Sequence, residues 1–215
     1  GWQVWLNTEP ANDVGGDLVD HLQMDDQRHF VVLGDVAGKA LPAALLSVKL
    51  QATLRALAPY FPDLGDLGVA LNRILHRDGL PTRFASLAYL ELTSHTGHIR
   101  VLNAGHMAPL VIRGRDVTAS TPGSMVLGLM PEATYIEQSI DVASGDTVVI
   151  YSDGVTEAMN ASEEFFGDER LIASLQANAH LPVDIVGKRV VDALAGFVGE
   201  SVRSDDVSLI VLRRT

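Results

Sequence analysis

Four short acidic motifs carry the chemistry of this chain: GGDLVD at 15–20, LGDVAGKA at 33–40, YSDGVTEA at 151–158 and SDDVSLIVL at 204–212. In each, an aspartate (Asp17, Asp35, Asp153, Asp205) stands beside glycine, serine or another aspartate, next to an apolar run that reads as a strand. A single such aspartate reads as a turn former or cap. Four in near-identical settings point instead to carboxylates gathered from distant segments at one edge of a sheet. Two carboxylates about 4 Å apart repel by a few kcal/mol at an effective dielectric near 20, so the cluster would need cations to hold it together. Oxygen-only donors suit Mg²⁺ or Mn²⁺. Two such ions about 3.5–4 Å apart would acidify a water and clamp a phosphoryl oxygen. Attack by that water needs no protein nucleophile, which agrees with a chain that has no cysteine.

The elements that must position these groups follow from pattern. Strands are predicted at 3–7, 18–23 and 29–34, bounded by polar or glycine-bearing turns. A helix then starts near Pro42, with Ala43, Leu46, Leu50, Leu54 and Leu57 on one face, and stops before Pro59. A second helix is predicted over 66–76, with Leu67, Ala70, Leu71, Ile74 and Leu75 as its stripe. Strands are expected at 84–92, 97–103, 109–113, 135–142, 147–152 and 207–213, with helices over 168–178 and 182–198. Residues 114–133 read as turns. Helices come in pairs and strands in runs, so the fold class expected is α+β, with mainly antiparallel packed sheets rather than a doubly wound parallel one. No interdomain linker is visible, and one domain over 1–215 is expected.

Composition excludes several functions. A net charge of −11 argues against nucleic acid or an anionic membrane as the main partner. No apolar run approaches the roughly 18 residues of a spanning helix, so no membrane partner is expected. The missing cysteines remove thiolate zinc sites and cysteine-nucleophile chemistry, and are compatible with a cytoplasmic protein.

The ordered set GGDxxD, GDVxGKxxxAAL, NAGH, YSDGVTEA with a following Phe-Gly, and DDVSLIVLR, spread over residues 15–213, resembles the bacterial SpoIIE/RsbU-type branch of the PPM (PP2C-like) serine/threonine phosphatases. The resemblance implies a PPM sandwich of two β-sheets flanked by pairs of helices, and two Mn²⁺ or Mg²⁺ ions. By it, Asp35 bridges both metals, Val36 binds one through its carbonyl, Asp153 and Asp205 complete that shell, and Asp17 supports the other. Asp20 and Asp206 would stand behind these ligands, while Gly38 and Gly154 would allow the turns that aim them. The implied substrate is phosphoserine or phosphothreonine on a STAS-like (anti-anti-sigma) regulatory protein, with an attached or separate sensory regulator. Ala40 stands where relatives of this type carry glycine; if that position requires positive φ, the loop must bend differently. A histidine that larger relatives use as general acid is replaced here by Ala37.

Lys39 is a candidate for attracting phosphate, although a lysine at a helix entry is commonly just solvated. His106 in NAGH reads as a turn residue between strands rather than a base. A P-loop reading of 34–40 fails, because three residues rather than four separate Gly34 from Gly38-Lys39 and Ala40 follows. A serine hydrolase is unsupported, since Ser152 lacks a GxSxG elbow. The remaining alternative is a catalytically weak, phosphatase-like interaction domain, favoured by the altered GKA loop.

Overall fold

The computed structural model describes residues 1–78 and 83–215. It contains two five-stranded sheets in which every strand pairing is antiparallel. The first has the order β1 (Trp2–Glu9), β10 (Val207–Arg214), β9 (Thr147–Tyr151), β6 (Leu110–Arg113), β7 (Asp116–Ala119). The second has the order β2 (Leu18–Gln23), β3 (Arg28–Val36), β4 (Ala85–Thr93), β5 (His98–Ala104), β8 (Gln138–Asp141). Val31, Leu33, Ala88 and Leu90 from one sheet pack against Val111, Val148, Ile150 and Ile210 from the other.

Helices cover both outer faces. Helices α1 (Ala40–Leu57) and α2 (Leu64–Asp78) place Ala43, Leu50, Leu54, Leu67 and Leu71 over Phe30, Val32 and Tyr89. Helices α4 (Gly167–Asn178) and α5 (Val183–Val198) place Leu171, Leu175, Val186, Val190 and Leu194 over Val149, Leu209 and Val211. Strand β3 is thus covered on both sides, which explains why Phe30-Val31-Val32-Leu33 is an unbroken apolar run rather than an alternating one. The layers are helix, sheet, sheet, helix, as the α+β sandwich reading requires.

Three local expectations change. The 114–133 stretch contains a strand, β7, which turns back at Gly114 (φ +62°) to pair with β6. Its residues Asp-Val-Thr-Ala are largely exposed at the sheet edge, so no apolar alternation announced it. The strand expected at 135–142 is confined to β8, because Tyr135 leaves the sheet to pack over Gly68 and donate its hydroxyl to Val126 O. Asp153 does not end β9; it opens a one-turn helix, α3 (Asp153–Thr156).

Antiparallel pairing decides where the acidic motifs meet. Leu18 pairs with Gly34, so the entry to β2, which carries Asp17, lies beside the exit of β3, which carries Asp35. Leu209 pairs with Tyr151, so the entry to β10, with Asp205, lies beside the exit of β9 that leads to Asp153. Both edges face the same end of the sandwich.

Candidate metal centre

Asp35 sits at the middle of this end and borders two clefts. One is narrow and lined by Gly15, Gly16, Lys39, Asp205 and Asp206. The other, about 350 Å³, is lined by Phe84, Ser86, His106, Val126, Asp153 and Glu157. Burial pushes the Asp35 carboxyl up to about 6, and the charges of Asp153, Asp205 and Asp206 add to the effect. Burial likewise raises Asp17 to about 8, with Asp35 and Asp206 as like charges nearby. Asp153 is raised by burial and by Asp205 and Glu157. Carboxylates from four separate motifs therefore share one electrostatic environment.

The backbone is shaped to bring them in. Gly16 leaves open the space in front of Val36 O and Asp35 Oδ1, where a Cβ would come within 3.1 and 3.6 Å. Gly38 has φ +119°, a left-handed conformation that turns the chain away from Asp35. Gly154 needs no unusual φ; any side chain there would overlap the Asp206 carbonyl where α3 crosses β10. Ala40 adopts φ +57°. The loop therefore bends as it would with glycine, and alanine accepts the strain.

Asp206 has a separate task. Its carboxylate accepts hydrogen bonds from the backbone N–H groups of Ala11 (2.8 Å), Gly16 (2.6 Å) and Asp17 (3.2 Å), clasping the loop that presents Asp17. Ser152 Oγ donates to Asp206 O and accepts from Ser208 N, which joins the Asp153 and Asp205 segments directly. Asp20 is a correction. Its carboxylate is paired through two hydrogen bonds with Arg55 on α1 (2.6 and 2.5 Å) and faces the helix layer, away from the centre. Strand alternation accounts for this, since Asp20 shares a face with Leu18 and Leu22, which pack in the α1–α2 core. Lys39 borders the narrow cleft, with Nζ 3.4 Å from Ser204 O.

His106 does more than turn the chain. Its backbone N–H donates to Asn103 Oδ1, and its buried ring bridges the two sheets. Nε2 lies 3.1 Å from Tyr151 O, a carbonyl that only accepts, so Nε2 carries the proton; Nδ1 then accepts from Ser86 Oγ at 2.8 Å. Ser86 pairs with Asp35 in register, and Tyr151 precedes Asp153 by two residues. The ring thus ties Ser86, the register partner of Asp35, to the end of β9 that leads into Asp153. Burial lowers its pKa to about 4, so it is neutral near pH 7. The Asn-Ala-Gly-His run signalled a tight turn; only the packing of the sheets reveals what the ring spans.

Two observations test whether a cation belongs here. Asp17 Oδ2 is buried and has no hydrogen-bond partner, a situation that costs about 1–3 kcal/mol unless something compensates it. The donors are all oxygen, as Mg²⁺ or Mn²⁺ requires. Among the described residues no three acidic or imidazole groups stand close enough to enclose an ion by themselves. An ion held here would therefore need further oxygens beside the carboxylates, such as the Val36 carbonyl or water. The residues fit divalent cations.

The family model for Stage II sporulation protein E (SpoIIE) matches residues 25–215. Among characterised proteins, the chain is 26% identical to Protein IcfG of Synechocystis sp., covering 99% of this chain and 38% of that protein. It is 25% identical to the phosphoserine phosphatase RsbU of Bacillus subtilis, covering 95% of this chain and 61% of that one. The chain therefore spans less than two-thirds of either relative. Among solved structures, the SiaA-PP2C domain of Pseudomonas aeruginosa superimposes with a TM-score of 0.84 at 19% identity, covering 99% of this chain and 86% of that one.

Proposed function

The chain belongs to the SpoIIE family of PPM phosphatases, and from that membership we propose that it hydrolyses phosphoserine or phosphothreonine on a regulatory protein of the STAS (anti-anti-sigma) type, using two Mn²⁺ or Mg²⁺ ions. The observation that carries this reading is the convergence on Asp35 of Asp17, Asp153 and Asp205, three acids from separate segments, with a buried and unpartnered oxygen on Asp17.

Asp17, Asp35, Asp153, Asp205 and the Val36 carbonyl would hold the cations, with Asp35, between the other acids, serving both. When bound, the ions polarise the phosphate ester and lower the pKa of water. Asp206 keeps Asp17 in place through the three N–H groups it holds. His106, neutral and with both ring nitrogens engaged, is not a base; it sets the spacing between β4, where Ser86 pairs with Asp35, and the end of β9 that leads to Asp153. Lys39, beside Asp35 and Asp205, offers a positive charge to the incoming phosphate dianion. The wider cleft, with Phe84, Met107 and Val126 against Asp153 and Glu157, gives the protein segment around the phosphorylated residue an apolar wall. RsbU, a relative along almost the whole chain, is itself named a phosphoserine phosphatase, which supports the substrate class.

The rival reading, an interaction domain with little activity, rested on the GKA loop. The left-handed Ala40 weighs against it, because the loop keeps the bend that presents Asp35. The deciding experiment is hydrolysis of a small aryl phosphate and of a phosphoserine peptide, with Mn²⁺ added or chelated, for wild type, Asp35→Asn and Asp153→Asn. Manganese-dependent turnover lost in both folded variants is expected. Folded wild-type protein that binds neither Mn²⁺ nor Mg²⁺ would sink the reading.

A further inference from the structure

Arg83 lies immediately before β4, on the chain segment that runs beside the loop following Asp35. Ala37 N donates to Phe84 O (2.9 Å), extending the β3–β4 pairing past Val36 and Ala85 and holding residues 83 and 84 against that loop. Arg83 Nη1 donates to Ala37 O at 2.8 Å. The guanidinium covers Gly38 so closely that any Cβ there would overlap Nη1. Gly38 thus has two roles: it takes the left-handed turn, and it gives an arginine a seat on the loop that bears Asp35.

No carboxylate among the described residues lies within ion-pair distance of Arg83. The four residues before it, Gly-Leu-Pro-Thr, include no acid. Arg28, Arg55, Arg100 and Arg203 pair with acids, whereas Arg83, like Arg73, Arg115, Arg170, Arg189, Arg213 and Arg214, does not; what sets Arg83 apart is its seat on the loop that follows Asp35. Lys39, one residue beyond Gly38, also lacks an acidic partner among the described residues. The loop that follows Asp35 therefore bears Lys39 and seats Arg83, two basic side chains without acidic partners among the described residues.

We propose that Arg83 is a phosphate-binding residue of this centre, taking the non-bridging oxygens of the substrate phosphomonoester with the guanidinium donors left free by Ala37 O. The assignment rests on reading the centre as a phosphatase. A guanidinium presents five N–H donors in a planar fork that matches phosphate, and the carbonyl of Ala37 occupies one of them. An acidic centre repels a dianion until its charge is offset. An arginine seated on the loop that follows Asp35, with Lys39 on the same loop, supplies an offset that does not depend on the centre's own carboxylates.

The test compares wild type, Arg83→Ala and Arg83→Lys, all loaded with Mn²⁺, by two independent readouts. Binding of inorganic phosphate is measured by calorimetry, and KM and kcat are measured on a phosphoserine peptide. Charge-assisted hydrogen bonds lost from one residue predict phosphate affinity about tenfold weaker or more in Arg83→Ala, with KM raised in parallel. Arg83→Lys should recover only part of the loss, while Mn²⁺ affinity and Tm stay near wild type. Unchanged phosphate affinity in a folded variant overturns the proposal. So does a loss of Mn²⁺ affinity that accounts for the whole effect, since Arg83 would then only brace the loop. If Arg83→Ala does not fold, Arg83→Lys decides alone: phosphate affinity equal to wild type overturns the proposal. Wild type that binds phosphate through Arg83 but turns over neither substrate would uphold this assignment while failing the phosphatase reading; wild type that binds no phosphate would end it.

Discussion

Asp35→Asn should stabilise the metal-free protein while abolishing its metal-dependent activity. Burial and the neighbouring Asp153, Asp205 and Asp206 hold the Asp35 carboxyl at about 6 against an ordinary 3.8. A displacement of that size corresponds to about 3 kcal/mol once the group is ionised, and solvent screening of a partly buried carboxylate reduces this to about 1–2 kcal/mol. The pH dependence has a definite sign. Below about pH 4 Asp35 is protonated in both folded and unfolded chains and there is no penalty. Between about 4 and 6 the folded chain retains a proton that the unfolded chain has released, so stability falls as pH rises. Above about 6 the penalty is complete, and asparagine escapes it. In EDTA at pH 8, Asp35→Asn should therefore melt higher by about 2–8 °C, from roughly 2–4 °C per kcal/mol at this chain length. The difference should fade towards pH 4. In saturating Mn²⁺ the order should reverse, because a ligand at about 100 times its Kd adds about 2.7 kcal/mol to the form that binds it. A variant no more stable than wild type in EDTA at pH 8 would refute the electrostatic argument, since the carboxylates would then not repel across the centre.

Ala40→Gly should raise Tm by about 2 °C, because relief of a left-handed alanine gains about 1–2 kcal/mol and the added backbone freedom of glycine returns about 0.5–1; a lower Tm in thermal unfolding would show that Ala40 is not strained. His106→Ala should cost about 2–3 kcal/mol by leaving Ser86 Oγ and Tyr151 O without their partner. It should also weaken Mn²⁺ binding, and normal Tm with normal Mn²⁺ affinity would show that the ring does not set the spacing of the strands. Asp20→Asn should cost about 1 kcal/mol through the half-exposed Arg55 pair and leave Mn²⁺ titrations and turnover unchanged; a weaker Mn²⁺ affinity would return Asp20 to the centre.

By itself the sequence determined the strands and helices whose patterns are local. The run Phe30–Leu33, the α1 stripe and the α5 stripe each carry their own period, and the buried faces follow from it. It also determined which aspartates were candidates, because Asp next to Gly at a strand end is a local signal. Only the tertiary structure decided which of those acids share a site. Asp20 lies three residues from Asp17 in the same motif, yet alternation along β2 sends it to Arg55 and the helix layer. Asp206 follows Asp205 directly, yet it is spent on three backbone N–H groups of the 11–17 loop. Strand β7 and the shortened β8 depend on pairing partners rather than on their own composition. The ring of His106 and the guanidinium of Arg83 gain their meaning from what lies across from them: a carbonyl in the opposite sheet and a glycine 45 residues away in sequence. Local periodicity is written in neighbouring residues, whereas a site assembled at the edge of two sheets is written in contacts between segments far apart in the chain.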